Sequence, residues 1–276
     1  MNFEEFAQQH GLILNNIKMD KWVPTGTVDK PKSSNGRYKY LGDVGWVQNW
    51  ATMDKPVMWR GDKASASSAD FRARIEQSKK IIEEENEKAA KKAGWILHQT
   101  EKMTHAYLAS KGFPDEQGNV WVKGLERILV IPMRRNDRLV GVQLIGEDGK
   151  KKFLQGQASK GASFCMNAKG LPILCEGYAT ALSIRECMKA NNIKYAIYVC
   201  FSASNMKLIA REIGGKLLVV ADNDSNRVGE LVAIEAQQPY WLSDTVGEDF
   251  NDYHKRVGTF KASQNLKTIL LKHRLV

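Results

Sequence analysis

The chain lacks what would tie it to a membrane, to zinc or to an ATP-driven motor. No apolar run in its 276 residues approaches the roughly 18 that a helical span needs. The opening MNFEEFAQQHGL puts acids where a secretory leader carries basic and then apolar residues, so the expected location is cytoplasmic, with no membrane partner. Cysteine is scarce. Cys165, Cys175, Cys187 and Cys200 form no C-x-x-C pair, and three of them lie in apolar stretches, which reads as reduced, buried thiols and not as a zinc ribbon. His10, His98, His105, His254 and His273 are scattered without metal-ligand spacing, so no zinc is expected. GEDGK is not a phosphate loop, because Leu144 stands where a Walker A motif requires glycine, and no other segment offers one.

Positive charge is what the chain has in excess. Lysine and arginine number 41 against 31 acids, a net +10 that favours a polyanionic partner such as nucleic acid and says nothing about fold. The length allows one large domain or two modest ones.

Four blocks and a tail follow along the chain. Residues 1–62 are rich in turns and aromatics, and PKSSNG followed by RYKYLGDVGWVQNW predicts the short strands of a small β-rich module. Trp22, Trp46, Trp50 and Trp59 fall here among Lys21, Lys30, Lys32, Arg37, Lys39 and Arg60; they either fill the module's core or form a stacking platform for single-stranded nucleic acid. Residues 63–111 read as a helical connector with a break near Gly94, capped by Ser68 or Asp70. Its apolar stripe is Phe71, Ile75, Ser78, Ile82, Ala89, Ala93 and Ile96. Residues 112–168 contain a β-meander, ERILVIPMRRNDRLVGVQLIGEDGKKKF, and positions 120–160 hold nine bases against four acids. Residues 169–260 alternate strand and helix: LPILCE, YATALSIRECMKA, YAIYVCF, SNMKLIAREI, KLLVVADND and GELVAIEAQ. Continuous apolar strands alternating with helices predict a parallel sheet covered on both faces, whose ligands sit beyond the carboxyl ends of the strands. Residues 261–276 form a helix or tail.

Two of those strand ends are acidic. LPILC runs directly into Glu176 and Gly177, and KLLVV into Asp222 and Asp224. If the strands are near neighbours, three carboxylates converge and repel one another, a conflict that a divalent cation removes. Hard oxygen ligands with room for water suit Mg²⁺ or Mn²⁺. Such an ion can clamp phosphate oxygens in phosphoryl or nucleotidyl transfer. Gly177 leaves room for a phosphate. A further cluster, Glu248, Asp249 and Asp252 in GEDFNDYH, either holds a second ion or caps a helix.

CEGYATA followed by a strand and ADND resembles the Toprim domain, the metal-binding α/β fold shared by bacterial primases, topoisomerases and some nucleases. EGYATALS resembles the phage- and plasmid-type primases in particular. HAYLASKGF, LERILVIPMRRNDRLVGVQLI and GKKKFLQGQASKG resemble the N-terminal half of the bacterial primase core. YVCFSASNMKLIA and GEDFNDYH resemble the segments between and after the acidic motifs, and NGRYKYLGDVGWVQNW the opening module of these proteins. The resemblance implies an α/β fold class: a Toprim domain preceded by a basic β-rich primase-core subdomain, a long helix and a small β-rich N-terminal module. It implies Glu176 as metal ligand or general acid/base, Asp222 and Asp224 as metal ligands, and Asp249 and Asp252 as contributors to a second ion. Arg127, Arg134, Arg135, Lys151, Lys152, Lys160, Gly177 and Asn205 would contact primer, template or triphosphate, and Gln143 lies in a matched segment. The implied activity is magnesium-dependent primer synthesis on single-stranded DNA from nucleoside triphosphates in phage or plasmid replication, in a bacterial or phage-infected cytoplasm. With no zinc ribbon and no helicase domain, template recognition and strand opening would fall to the N-terminal module or to a separate helicase or single-strand-binding protein. The alternatives are a Toprim nuclease on the same metal site and an inactive nucleic-acid-binding or recruiting protein.

Overall fold

The computed structural model describes residues 1–53, 55–61, 69–224 and 228–276, with the side chains at 69–75, 78 and 228 outside that description. The expected caps Ser68 and Asp70 and the stripe positions Phe71, Ile75 and Ser78 therefore lie outside the described residues or side chains. Two compact units, Met1–Glu84 and Glu85–Val276, divide the chain.

In the first unit, helix α1 (Phe3–Gln9) is closed by a capping box between Asn2 and Glu5. It packs on an antiparallel sheet of β1 (Trp22–Thr25), β2 (Gly36–Tyr40), β3 (Val44–Asn49) and β4 (Val57–Arg60), in that spatial order. One sheet face buries Tyr38, Val47 and Trp59 against Phe3 and Ala7. Gly45 is required there: a Cβ would lie 2.2 Å from the Phe3 ring. Of the four tryptophans, Trp59 belongs to this core. Trp46 pairs in register with Lys39, whose neighbours Tyr38 and Tyr40 face the core, so Trp46 stands on the opposite face.

The helix of the connector, α2 (Ala69–His98), runs through Gly94 without interruption. The expected break is absent, and a Cβ at Gly94 would meet nothing closer than 3.9 Å. The helical reading also overruns its end. Thr100–Met103 is strand β5, and only Ala106–Ser110 becomes helical again, as α3. Period alone could not reveal this, because TEKM becomes a strand by pairing with residues 118–121, far along the chain. The predicted stripe is buried at Ala89, Ala93 and Ile96, whereas Ile82 is exposed.

The predicted meander is present as the last three strands of a sheet that two more extend. β5, β6 (Gly118–Lys123), β7 (Glu126–Arg135), β8 (Arg138–Gly146) and β9 (Lys151–Phe153) form an antiparallel sheet in chain order. Its two faces have different partners. Val130 and Val142 pack on Ala93 and Ile96 of α2. Leu129, Ile131 and Ile145 join the core of the parallel sheet.

That second sheet has the order β10–β12–β11–β13–β14, from β10 (Phe164–Met166), β11 (Leu171–Cys175), β12 (Tyr195–Val199), β13 (Leu218–Val220) and β14 (Tyr240–Trp241). All its pairings are parallel except that of the edge strand β10. Alternate residues of β11 separate the layers. Ile173 and Cys175 pack with α4 (Tyr178–Ala190) and α7 (Phe250–Lys272). Leu174 packs with α5 (Ala203–Ile213) and α6 (Val228–Glu235). Helix α7 turns at Gly258, whose φ of 79° is left-handed, and its second half buries Ala262, Leu266 and Leu270 in the same core as α4. Cys175, Cys187 and Cys200 are buried free thiols as expected, but Cys165 is exposed at the sheet edge. Among the described residues no helix is long and apolar enough to cross a membrane.

Candidate metal centre

The central strand β11 lies between β12 and β13, so Glu176, immediately after it, emerges at the middle of the sheet's carboxyl edge. β13 pairs directly with β11, so the segment carrying Asp222 leaves the sheet beside Glu176. The strand does not extend through the ADND segment. β13 ends at Val220, and Asn223 is pinned instead: its side chain donates to the Ser243 carbonyl at 2.9 Å, and its own carbonyl accepts from Gly247 at 2.7 Å. These bonds hold the 243–248 loop against residue 223 and bring up Asp249, the N-cap of α7.

A cavity of about 150 Å³ opens at this edge. Glu176, Asp222 and Asp249 line it together with Gly177, Thr180, Phe201, Tyr107, Lys111, Gln143 and Lys151. Both the parallel sheet and the antiparallel meander thus contribute to one site. Gln143 and Lys151 reach it because β9 places Lys151 opposite Ile145 and Phe153 opposite Gln143, on the face turned toward the parallel sheet's core.

The carboxylates are under strain from one another. Burial, then the charges of Glu176, Asp249 and Asp224, lifts the Asp222 carboxyl to about 7. Burial, then Asp224, lifts Glu176 to about 7, opposed by the Ala203 amide and by Lys151. The Tyr107 hydroxyl is pushed up to about 12, first by burial and then by Asp249 and Asp252. Two polar atoms at this cavity, Asp222 Oδ1 and the Tyr107 hydroxyl, are buried without a hydrogen-bond partner among the described residues. Helix α4 begins at Gly177 with no side-chain cap, so its first-turn amides keep their donors for an anion. Gly177 itself is extended, and a Cβ there would sit 3.6 Å from Thr180 Oγ1, an ordinary contact.

An all-oxygen donor set with an orphaned buried carboxylate oxygen fits a hard divalent cation. Among the described residues no three His, Cys, Asp or Glu side chains close into a cage. An ion here would take one or two carboxylates and complete its shell with water or substrate oxygens, as magnesium prefers.

The other candidate residues are placed less uniformly. Asp224 is exposed outside the cavity, although its charge reaches Glu176. Asp252 forms an ion pair with Lys111 at 3.7 Å, and Asp249 accepts the Asp252 amide at 2.8 Å. Glu248 is held by Arg256 through two bonds of 2.7 and 2.8 Å, and also accepts from Ser243. Lys152 faces the α2 side of the sheet opposite Leu144, away from the cavity. Arg127 donates to the Thr104 carbonyl at 2.9 Å, Arg134 to that of Asp137 at 2.8 Å, and Arg135 to that of Lys160 at 3.4 Å. Asn205 is buried with its amide engaged: it accepts from Gly161 at 2.7 Å and donates to the carbonyls of Ala162 and Cys200 at 2.7 and 2.9 Å.

Tyr107, Lys111, Thr180 and Phe201 are site residues that the sequence reading did not single out. Lys111 is fixed from α7, where Asn251 donates to its carbonyl at 2.9 Å and Lys255 to the Ser110 carbonyl at 2.8 Å. Phe201 has a φ of 67°, a conformation costly for a bulky side chain, and packs edge-on against Phe153. The available signals were HAYLASKGF for Tyr107 and Lys111, EGYATALS for Thr180 and YVCFSASNMKLIA for Phe201.

No curated protein and no solved structure matches the chain. Residues 172–259, which carry Glu176, Asp222 and Asp249 on β11, β13 and the start of α7, match the family described as Toprim domain, and this part of the chain is a Toprim domain.

Proposed function

We propose that the chain is a primase-type nucleotidyltransferase that builds short primers on single-stranded DNA from nucleoside triphosphates. The observation that carries this reading is the meeting of Glu176, Asp222 and Asp249 with Lys111, Lys151 and Gln143 in one cavity between a Toprim sheet and a basic antiparallel sheet. A Toprim domain supports a role in nucleic-acid processing. The basic meander beside it supports polymer handling over the cleavage of a small phosphate ester.

Glu176 and Asp222 would hold the ion, with Asp249 or Asp224 completing the acidic wall. Bound there, magnesium or manganese supplies positive charge to phosphate oxygens and to the charge that develops in transfer. Lys151, on the opposite wall, is placed to pair with a triphosphate. The free amides at the start of α4 are placed to donate to a phosphate oxygen across Gly177. Lys111 and the Tyr107 hydroxyl can orient the incoming nucleotide, and Gln143 offers a neutral donor and acceptor beside them. Arg134, Arg135, Lys152 and Lys160 would serve the template or primer backbone outside the cavity, making affinity steeply salt-dependent.

The test is primer synthesis on single-stranded DNA with labelled nucleotides and Mg²⁺, comparing wild type with Asp222→Asn and Lys151→Ala. Template-dependent oligonucleotides from wild type, lost in Asp222→Asn, are expected. Degraded template in their place would select a nuclease, and DNA binding without chemistry a recruiting module.

A further inference from the structure

In the first unit, the sheet face opposite the core forms a second surface with its own chemistry. Reading across the strands in register, Trp22, Lys39, Trp46 and Met58 form one row, and Pro24, Arg37 and Gln48 form the next. Phe3, Tyr38, Tyr40 and Trp59 fill the core from the other side, while on this face Lys39 and Gln48 are buried and Trp22 and Trp46 half-buried. Trp50 is 50% exposed and Met58 40% exposed.

The charge on the face has one sign. The four strands, WVPT, GRYKY, VGWVQN and VMWR, contain three bases and no acid. Among the described residues, Asp20 is the carboxylate whose charge acts on Lys39. The Arg37 guanidinium lies 4.4 Å above the Trp22 ring and 5.8 Å from that of Trp50. Gln48 fixes its Nε at 3.0 Å, and among the described residues its two terminal nitrogens have no acceptor. Arg60 and Lys21 stand exposed at the two edges.

We propose that this face binds single-stranded nucleic acid, with a base stacked on Trp50 and phosphates paired with Arg37, Arg60 and Lys21. A duplex buries the base faces that exposed indoles require, and an acidic peptide offers charge but no flat apolar partner, whereas an unpaired strand supplies both in alternation. The site lies within the first unit and does not require the metal centre. The chain would hold its template at two places, one chemical and one purely binding.

The experiment is fluorescence anisotropy of a labelled oligothymidylate with the full chain in EDTA, where the metal centre is silent. Trp50→Ala is expected to weaken binding roughly five- to hundred-fold, the range for loss of one stacked base, and Trp50→Phe to restore most of it. Arg60→Gln is expected to weaken binding and flatten its salt dependence. Because EDTA silences the metal centre, a failure of the catalytic reading leaves this result untouched. Unchanged affinity in Trp50→Ala and Arg60→Gln would overturn the proposal. So would equal losses on duplex DNA, or displacement of the oligonucleotide by polyglutamate at equal charge, since each means that the face reads charge alone.

Discussion

Replacing Asp222 by asparagine should make the metal-free protein more stable while disabling its site. The ordinary aspartate value is 3.8, and in the fold burial with three neighbouring carboxylates lifts it to about 7. A carboxyl raised in this way costs stability as pH rises, because between these two values the unfolded chain has released a proton that the folded chain still holds. At pH 8 the folded protein carries the full cost of the ionised group, roughly 4 kcal/mol for a shift of about three units. Asparagine keeps the shape without the charge, but its amide enters a place where Oδ1 already lacks a partner, an offset of about 1–2 kcal/mol. The expected net gain is about 2 kcal/mol at pH 8; towards pH 4 the charge cost disappears and the offset alone remains, leaving the variant about 1–2 kcal/mol less stable than wild type.

The assay is thermal unfolding in EDTA across pH 4–8, followed by Mg²⁺ addition at pH 8. For a unit of this size the gain corresponds to roughly 4–8 °C. Magnesium should raise the wild type more than the variant, because the ion relieves a repulsion that the variant no longer has. A variant as stable as wild type at every pH would refute the crowding of the carboxylates. So would one whose advantage over wild type is no greater at pH 8 than at pH 5.

Three other outcomes separate parts of the structure. Lys151→Ala should lower primer synthesis on the order of ten- to hundred-fold while Lys152→Ala changes it little, because only Lys151 faces the cavity; equal effects would mean that β9 is slipped by one residue. Asn205→Ala removes three hydrogen bonds, two that hold residues 161 and 162 to the start of α5 and one to Cys200, and should cost about 3 kcal/mol in denaturant unfolding, with metal affinity preserved. Arg185 grips Glu116 through bonds of 2.8 and 2.7 Å with both side chains mostly buried, so Glu116→Gln should cost about 2 kcal/mol at pH 7. Arg185 holds the Glu116 carboxyl below its ordinary 4.5, so that stabilisation is present above this value and is lost as pH falls through the lower folded one.

The local elements were legible where one residue's environment repeats along the chain. YATALSIRECMKA forms a helix at the predicted bounds, and LPILC and YAIYV are continuous apolar strands because both faces of a parallel sheet are covered. In the 63–111 block the helical pattern overruns its end, where TEKM has no strand pattern of its own and takes its conformation from β6.

The candidate site divides in the same way. The sequence alone determined that acids end two apolar strands, Glu176 after LPILC and Asp222 after KLLVV, because a buried strand can release a carboxylate only where it leaves the sheet. Which acids meet was decided by tertiary structure. Strand order set β11 beside β13, Asn223 drew the 243–248 loop in to deliver Asp249, and Arg256 removed Glu248. Register chose Lys151 over Lys152, since adjacent residues of a strand point to opposite faces and only the far partner β8 says which face looks toward the site. These outcomes rest on contacts between residues tens of positions apart, which no local pattern encodes.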